Sequence, residues 1–96
     1  MNKNRFWFLI YKWETETSFI SSTTDMMQNQ YFKEIVSWRE DAIPFILDYL
    51  QKATSHIYLA LFEITGENPV PTKDLGKVDK IIENWLEWGY KNGYIE

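Results

Sequence analysis

Apolar residues recur along much of the chain at intervals of three and four, the spacing of helices that bury one face. The first such segment covers roughly residues 3–17. Its apolar positions on one face are Phe6, Leu9, Ile10 and Trp13. This spacing predicts a helix, although the unbroken apolar run at 6–11 is also compatible with a buried strand.

Two further helices are predicted in the first half of the chain. The polar stretch Ser21–Asp25 is rich in residues whose side-chain oxygens cap a helix start, so a second helix is predicted after it. The apolar stripe of that helix holds Tyr31, Ile35 and Trp38. Asp41 is predicted to cap a third helix, with Pro44 in its first turn, where a missing amide costs little. The apolar positions of the third helix are Ile43, Ile46, Leu47 and Leu50.

Two more helices are predicted in the second half. Residues 57–65 are apolar on almost every side, which is typical of a helix covered by its neighbours. Gly66 is placed to end this helix, because glycine adopts a left-handed backbone without penalty. A loop with Pro69 and Pro71 follows, and a fifth helix is predicted at about 77–91. Its spaced apolar positions are Val78, Ile81, Ile82, Trp85 and Trp88.

These segments predict an all-α fold of four to five helices around one core, in a single domain covering residues 1–96. The sequence contains no pair of segments with alternating apolar and polar residues joined by a hairpin turn, so it does not predict a β-hairpin. Residues 43–66 resemble one HEAT-type helical hairpin, with Pro44 in its first helix and Ala60-Leu61 in its second. A single unit does not make a solenoid, which needs three or more.

Composition narrows the classes of function. Of the 96 residues, 45% are hydrophobic and 18% aromatic, a globular composition with many large rings. The formal net charge of −4 argues against a nucleic-acid binder that relies on overall positive charge. The chain has no cysteine, which excludes disulfides, thiol catalysis and Cys-ligated zinc.

The first residues match a targeting segment only in part. Lys3 and Arg5 precede an apolar run that Lys12 ends before it reaches the roughly 7–15 residues of a signal peptide. No stretch supplies the roughly 20 apolar residues of a transmembrane helix. We therefore predict a cytoplasmic protein without a membrane span. A weak peripheral contact with an anionic surface through Lys3, Arg5, Phe6 and Trp7 stays open.

Candidates for catalysis are few. His56 is the only histidine, and Glu63 follows seven residues later on about the same predicted helix face, where the two could act as acid–base partners. The favoured alternative is a histidine at a helix start that packs and hydrogen-bonds locally. The two side chains alone make a poor transition-metal site. We predict a protein that is not an enzyme, with no catalytic or metal-binding residue and no cofactor.

A longer set of residues occurs in an order that resembles a group of small bacterial proteins of unknown function. The set includes His56, Ala60-Leu61, the turn Ile64-Thr65-Gly66-Glu67-Asn68-Pro69, and Trp88-Gly89. In that group a His-containing helix ends in an Ile-Thr-Gly-x-x-Pro turn. The resemblance implies a helical fold and a loose association with mobile elements and toxin–antitoxin-like neighbourhoods. It implies no catalytic residue.

The function predicted from these features is a non-enzymatic protein-binding module, antitoxin-like or inhibitory, that occupies a partner's surface. The predicted interface lies on the C-terminal helix, because aromatic side chains at a helix edge are frequent interface hot spots. Its residues are Trp88, Tyr90 and Tyr94. A second interpretation leaves Trp88 and Tyr94 as a seal at the end of the core, through a contact after the helix stop at Asn92-Gly93.

Two other classes of function stay open. One is a nucleic-acid-associated regulator that uses the only local cluster of basic residues, Lys73, Lys77 and Lys80. Asp74 and Asp79 dilute the charge of this cluster. The other, ranked last, is an enzyme built on His56 and Glu63.

Overall fold

The computed structural model describes residues 2–96 and contains six α-helices in this range, with no strand among these residues. The helices are α1 (Lys3–Thr17), α2 (Thr23–Met27), α3 (Gln30–Ser37), α4 (Ile43–Leu50), α5 (Tyr58–Thr65) and α6 (Val78–Lys91). Two 3₁₀ turns, Arg39–Ala42 and Thr72–Asp74, lie before α4 and α6. The predicted all-α fold is confirmed. No helix in the described part of the chain is long and apolar enough to cross a membrane.

Helix α1 covers the residues predicted for it and is not a strand. Asn2 has an extended backbone, and its side-chain oxygen accepts from the Arg5 amide at 2.8 Å, which satisfies one of the free amides of the first turn. The helix buries the apolar stripe expected from the sequence and packs chiefly against α3. The helix predicted from the spacing of the apolar residues is therefore confirmed, and the buried strand suggested by the unbroken apolar run is not formed.

The single helix predicted after Ser21–Asp25 is wrong, because the structure has two short helices there. Ser22 caps α2 as expected, accepting from the Asp25 amide. Asn29 then takes an extended backbone, and its side-chain oxygen accepts from the Tyr31 amide at 2.8 Å. Asparagine at this point gives the backbone a local partner outside the helix, so the chain turns and α3 starts anew.

The predicted cap at Asp41 is also wrong. Residues 39–42 form a 3₁₀ turn that continues directly into α4, and the residue before α4 is Ala42, with no side-chain cap. Pro44 does lie in the first turn of the helix, as predicted. The chain enters this turn through Arg39, whose φ of 56° is the one left-handed backbone at a non-glycine residue among those described.

This backbone at Arg39 gives a test by substitution. At a helical φ, alanine stabilises a protein by about 1 kcal/mol relative to glycine. At a positive φ, the order reverses, because a Cβ costs about 1–2 kcal/mol there. We expect Arg39→Gly to unfold at a higher urea concentration than Arg39→Ala, with a difference in unfolding free energy of about 1 kcal/mol. Greater stability of the alanine variant would contradict this backbone conformation.

All six helices contribute to one continuous core. Helix α5 supplies Ala60 and Leu61, both fully buried, and Gly66 ends it with the predicted left-handed backbone at φ 71°. Helix α4 packs against both α5 and α6, so the two helices of the segment 43–66 are in contact with each other. The predicted fifth helix is α6, whose fully buried Trp85 lies against Phe62.

The end of α6 packs unusually closely. A Cβ built on Gly89 would lie 2.8 Å from Ile95 Cδ1 and 2.9 Å from Leu47 Cδ1, so only glycine fits without a shift of these side chains. The chain folds back here, with the amides of Tyr94 and Ile95 both donating to the Gly89 carbonyl. The predicted contact of Tyr94 with the end of the helix is thereby confirmed.

Candidate binding surface

The structure separates the three aromatic residues predicted as an interface on α6. Trp88 is only 8% exposed, and its indole N–H donates to Glu67 at 3.2 Å. Its ring packs edge to face on Trp85, with centroids 5.2 Å apart at 71°, and stacks on Tyr94 at 5.5 Å and 14°. Tyr90, in contrast, is 57% exposed, and Tyr94 is 37% exposed. Trp88 thus belongs to the core edge rather than to a free surface.

The shared helix face predicted for His56 and Glu63 is wrong, because α5 begins only at Tyr58. His56 lies in the turn before the helix, with its ring 5.7 Å from the ring of Tyr58. Its side chain lines a cavity together with Glu14, whereas the exposed Glu63 lines a different groove. The geometry does not bring this pair together.

The basic residues of the alternative function do not form an unbroken patch. Lys73 lies in the second 3₁₀ turn, and Lys77 immediately precedes α6. Lys80 is engaged in an ion pair with Glu83 at 3.4 Å. Asp74, which accepts from the Asn84 amide group at 2.9 Å, lies in the same turn as Lys73. The acidic residues that dilute this cluster in the sequence therefore also lie beside it in the fold.

The largest exposed aromatic surface on a single helix among residues 2–96 lies on α1. Trp7, Phe8 and Tyr11 are exposed there, and we call these three residues the aromatic face. Successive helical residues turn by about 100°, so the three side chains lie within about 100° of one another around the helix axis. Tyr11 is at the centre and is 66% exposed. This face is opposite the stripe that α1 buries in the core.

Neighbouring rings hold two members of the aromatic face in place. Trp7 packs edge to face on Tyr49, with ring centroids 5.3 Å apart. Phe8 packs in the same way on Tyr31 at 6.0 Å, and the Arg5 guanidinium lies 5.2 Å from the Phe8 ring centroid. Such contacts restrict the rings before any partner arrives, which lowers the conformational entropy lost on binding.

The charge around the aromatic face is basic. Residues 2–12 contain Lys3, Arg5 and Lys12 and no acidic residue, although the whole chain is acidic. Arg5 forms a two-pronged pair with Glu34, through Nε at 2.8 Å and Nη2 at 2.7 Å. The hydrogen bond with Arg5 lowers the pKa of Glu34 and raises that of Arg5. Lys12 lies over the Tyr31 ring at 5.7 Å.

A second feature of α1 is a half-buried polar cluster near its C-terminal end. The carboxylate of Glu14 accepts from the Tyr49 hydroxyl at 2.7 Å and from the Ser55 hydroxyl at 2.7 Å. Burial raises the pKa of Tyr49 well above its usual range, and the hydrogen bond to Glu14 adds to this effect. Tyr49 therefore stays protonated and ties α4 to α1 as a neutral donor.

Comparison with known proteins gives no relative from which a function could be carried over. No family model matches the chain, and neither the curated proteins nor the solved structures contain a significant match.

Proposed function

We propose that this protein is a non-enzymatic binding module that docks on another protein through the aromatic face of α1. The observation that carries the proposal is the exposure of Trp7, Phe8 and Tyr11 side by side on one helix. Tryptophan and tyrosine dominate binding energy at protein interfaces, because each buries much area at little entropic cost. An inhibitory or antitoxin-like protein would act in this way, by covering its partner's surface.

The shape of the face favours a groove as its counterpart. Trp7 and Tyr11 are four residues apart and Phe8 lies beside them, which is the arrangement by which a helix inserts anchors into an apolar groove. The basic residues Lys3 and Lys12 flank these anchors. A groove with an acidic rim is therefore the complementary partner surface.

An anionic membrane surface is the main competitor for the same face. Two arguments favour a protein instead. The net charge of −4 repels such a surface outside the immediate neighbourhood of α1. In addition, the rings of Trp7 and Phe8 are fixed against Tyr49 and Tyr31 and each keeps less than half of its surface exposed, which suits contact with a rigid protein groove better than insertion into lipid. A membrane anchor would need more apolar side chains that can insert.

The test compares two exposed tyrosines on the two candidate surfaces, Tyr11 on α1 and Tyr90 on α6. A photo-crosslinking amino acid at each position identifies the proteins that lie against that surface in cells, and the recovered protein is then purified. We expect Tyr11→Ala to weaken its binding about tenfold or more, the effect of a hot-spot residue. The unfolding free energy of this variant should change by less than about 0.5 kcal/mol, as for surface substitutions.

Tyr90→Ala is the matched control, because it removes the same ring from a position of similar exposure. Its binding should equal that of the wild type. Loss of binding in Tyr90→Ala alone would place the interface on α6 and overturn the proposal. Sedimentation with anionic vesicles provides the second arm. If the wild type binds vesicles, Tyr11→Ala does not, and no protein is crosslinked at position 11, the face is a membrane contact instead.

A further inference from the structure

The carboxylate of Glu14 is fixed in position by two separate parts of the fold. Its Oε1 accepts from the Tyr49 hydroxyl of α4, and its Oε2 accepts from the Ser55 hydroxyl in the connection between α4 and α5. Ser55 is buried, and its oxygen also accepts from the Ile57 amide at 3.1 Å. The position of the carboxylate is therefore set before any ligand binds.

Among residues 2–96, the Glu14 carboxylate has no cationic side chain as an ion-pair partner. Both of its donors are neutral hydroxyls. The ion pairs within residues 2–96 involve Glu34, Asp48, Glu83 and Glu87, and none of them includes Glu14. A half-buried carboxylate that lacks a cation loses hydration without gaining an ion pair. A positively charged group beside the Glu14 carboxylate would compensate for this lost hydration.

Glu14 also lines a cavity that offers room for such a group. The cavity has a volume of about 220 Å³ and is bordered by Trp13, Ser18, Thr54, Ser55 and His56, among others. A water molecule takes about 30 Å³ in the liquid, so the cavity holds a guanidinium or an ammonium group together with some water. Each carboxylate oxygen keeps a lone pair beyond its hydroxyl bond, and the neighbouring hydroxyl oxygens are further acceptors.

We infer that this cavity binds a small organic cation, a guanidinium or a primary ammonium, through charge-assisted hydrogen bonds to Glu14. The lining suits an organic cation better than a metal ion, because no three His, Cys, Asp or Glu side chains in the described chain cluster as metal ligands do. The site does not depend on the proposed docking face. Substitution of Glu14 tests the cation site, whereas substitution of Tyr11 tests the docking face.

The experiment is an NMR titration of the full chain with methylguanidinium chloride, with sodium chloride at equal ionic strength as the reference. We expect saturable shifts of the amides of Ser18, Thr54, Ser55 and His56. In Glu14→Gln, which keeps the shape but removes the charge, binding should weaken about tenfold or more. Glu16→Gln is the matched control, because Glu16 lies on the same helix and accepts only from Asn29. It should bind like the wild type.

A second variant keeps the test decisive if Glu14→Gln unfolds. Ser18 is exposed at the end of α1 and borders the cavity, so Ser18→Arg can place its own guanidinium beside Glu14. We expect Ser18→Arg to abolish methylguanidinium binding while the fold is retained. Ser18→Gln, similar in length but uncharged, should still bind the probe.

The source of the cation is resolved by a third titrant, the capped tripeptide acetyl-Gly-Arg-Gly-amide. Tighter binding of the peptide than of methylguanidinium indicates a basic side chain of a polypeptide, and equal or weaker binding indicates a free small cation. Both results support the site. Shifts that grow linearly and match those of sodium chloride would overturn the inference, as would unchanged affinity in Ser18→Arg or in a folded Glu14→Gln.

Discussion

Replacing Trp13 by alanine is expected to lower the free energy of unfolding by about 3–5 kcal/mol, the cost of emptying a large buried aromatic site. Trp13 is buried, its ring lies 5.6 Å from that of Phe32, and its indole N–H donates to the Met26 carbonyl at 2.9 Å. One side chain thus joins α1 to both α2 and α3. Urea unfolding followed by circular dichroism measures the loss.

Two matched variants separate the contribution of the Trp13 hydrogen bond from that of the burial of its ring. Trp13→Phe keeps the six-membered ring but removes the indole hydrogen bond to the Met26 carbonyl, which retains the Asn29 amide at 3.4 Å as a donor. We expect a smaller loss, about 1–3 kcal/mol, from the missing hydrogen bond and the smaller ring. Trp7→Ala makes the same truncation at the edge of the exposed side of α1. It should cost less than Trp13→Ala, about 1–2 kcal/mol, because Trp7 is 36% exposed and its ring contacts, with Phe6 and Tyr49, are at the surface. Equal losses for Trp13→Ala and Trp7→Ala would mean that α1 is rotated from the orientation described.

Replacing Leu61 by alanine is expected to cost about 2–5 kcal/mol, the range for a packed leucine that leaves a cavity. Leu61 is fully buried on α5, which packs against α3, α4 and α6. A cavity at this junction can be closed only if several helices move together, which places the loss in the upper part of the range. The measurement is again urea unfolding.

Leu75 supplies the control for Leu61. It lies in the loop before α6 and is largely exposed, so Leu75→Ala should change the unfolding free energy by less than about 0.5 kcal/mol. A loss below about 0.5 kcal/mol in Leu61→Ala would show that α5 does not lie at the centre of the fold.

Periodicity predicted the helices whose apolar faces are long. The stripe of α1, the all-round apolar α5 and its stop at Gly66 could all be read from residue spacing and from the left-handed preference of glycine. The break at Asn29 could not, because the apolar spacing continues through it and the decisive hydrogen bonds to Tyr31 and Phe32 are local. The sequence does not predict the true start of α4, because the 3₁₀ turn at residues 39–42 leads directly into the helix and makes a side-chain cap at Asp41 unnecessary.

The candidate surface was harder to predict than the fold. On α6 the sequence marked Trp88 as an edge residue, but the stacking of Tyr94 that buries it depends on the return of the chain after Gly93. On α1 the position of Tyr11 on the side away from the buried stripe could be predicted from helical spacing. The exposure of Trp7 and Phe8 could not, because an unbroken aromatic run is also compatible with burial on all sides. The contact of Tyr49 with Glu14 joins residues far apart in sequence.

The ring pair of Trp85 and Trp88 also has an optical consequence. Two indoles held at close range and at a large angle exchange excitation energy, so their absorption splits into components of opposite rotational strength. This exciton signal falls in the far ultraviolet, where it overlaps the bands used to measure helix content. The helicity taken from such a spectrum therefore carries a contribution from this ring pair, and the difference between the spectra of the wild type and a Trp88→Phe variant reports on the ring contacts of Trp88 with Trp85 and Tyr94.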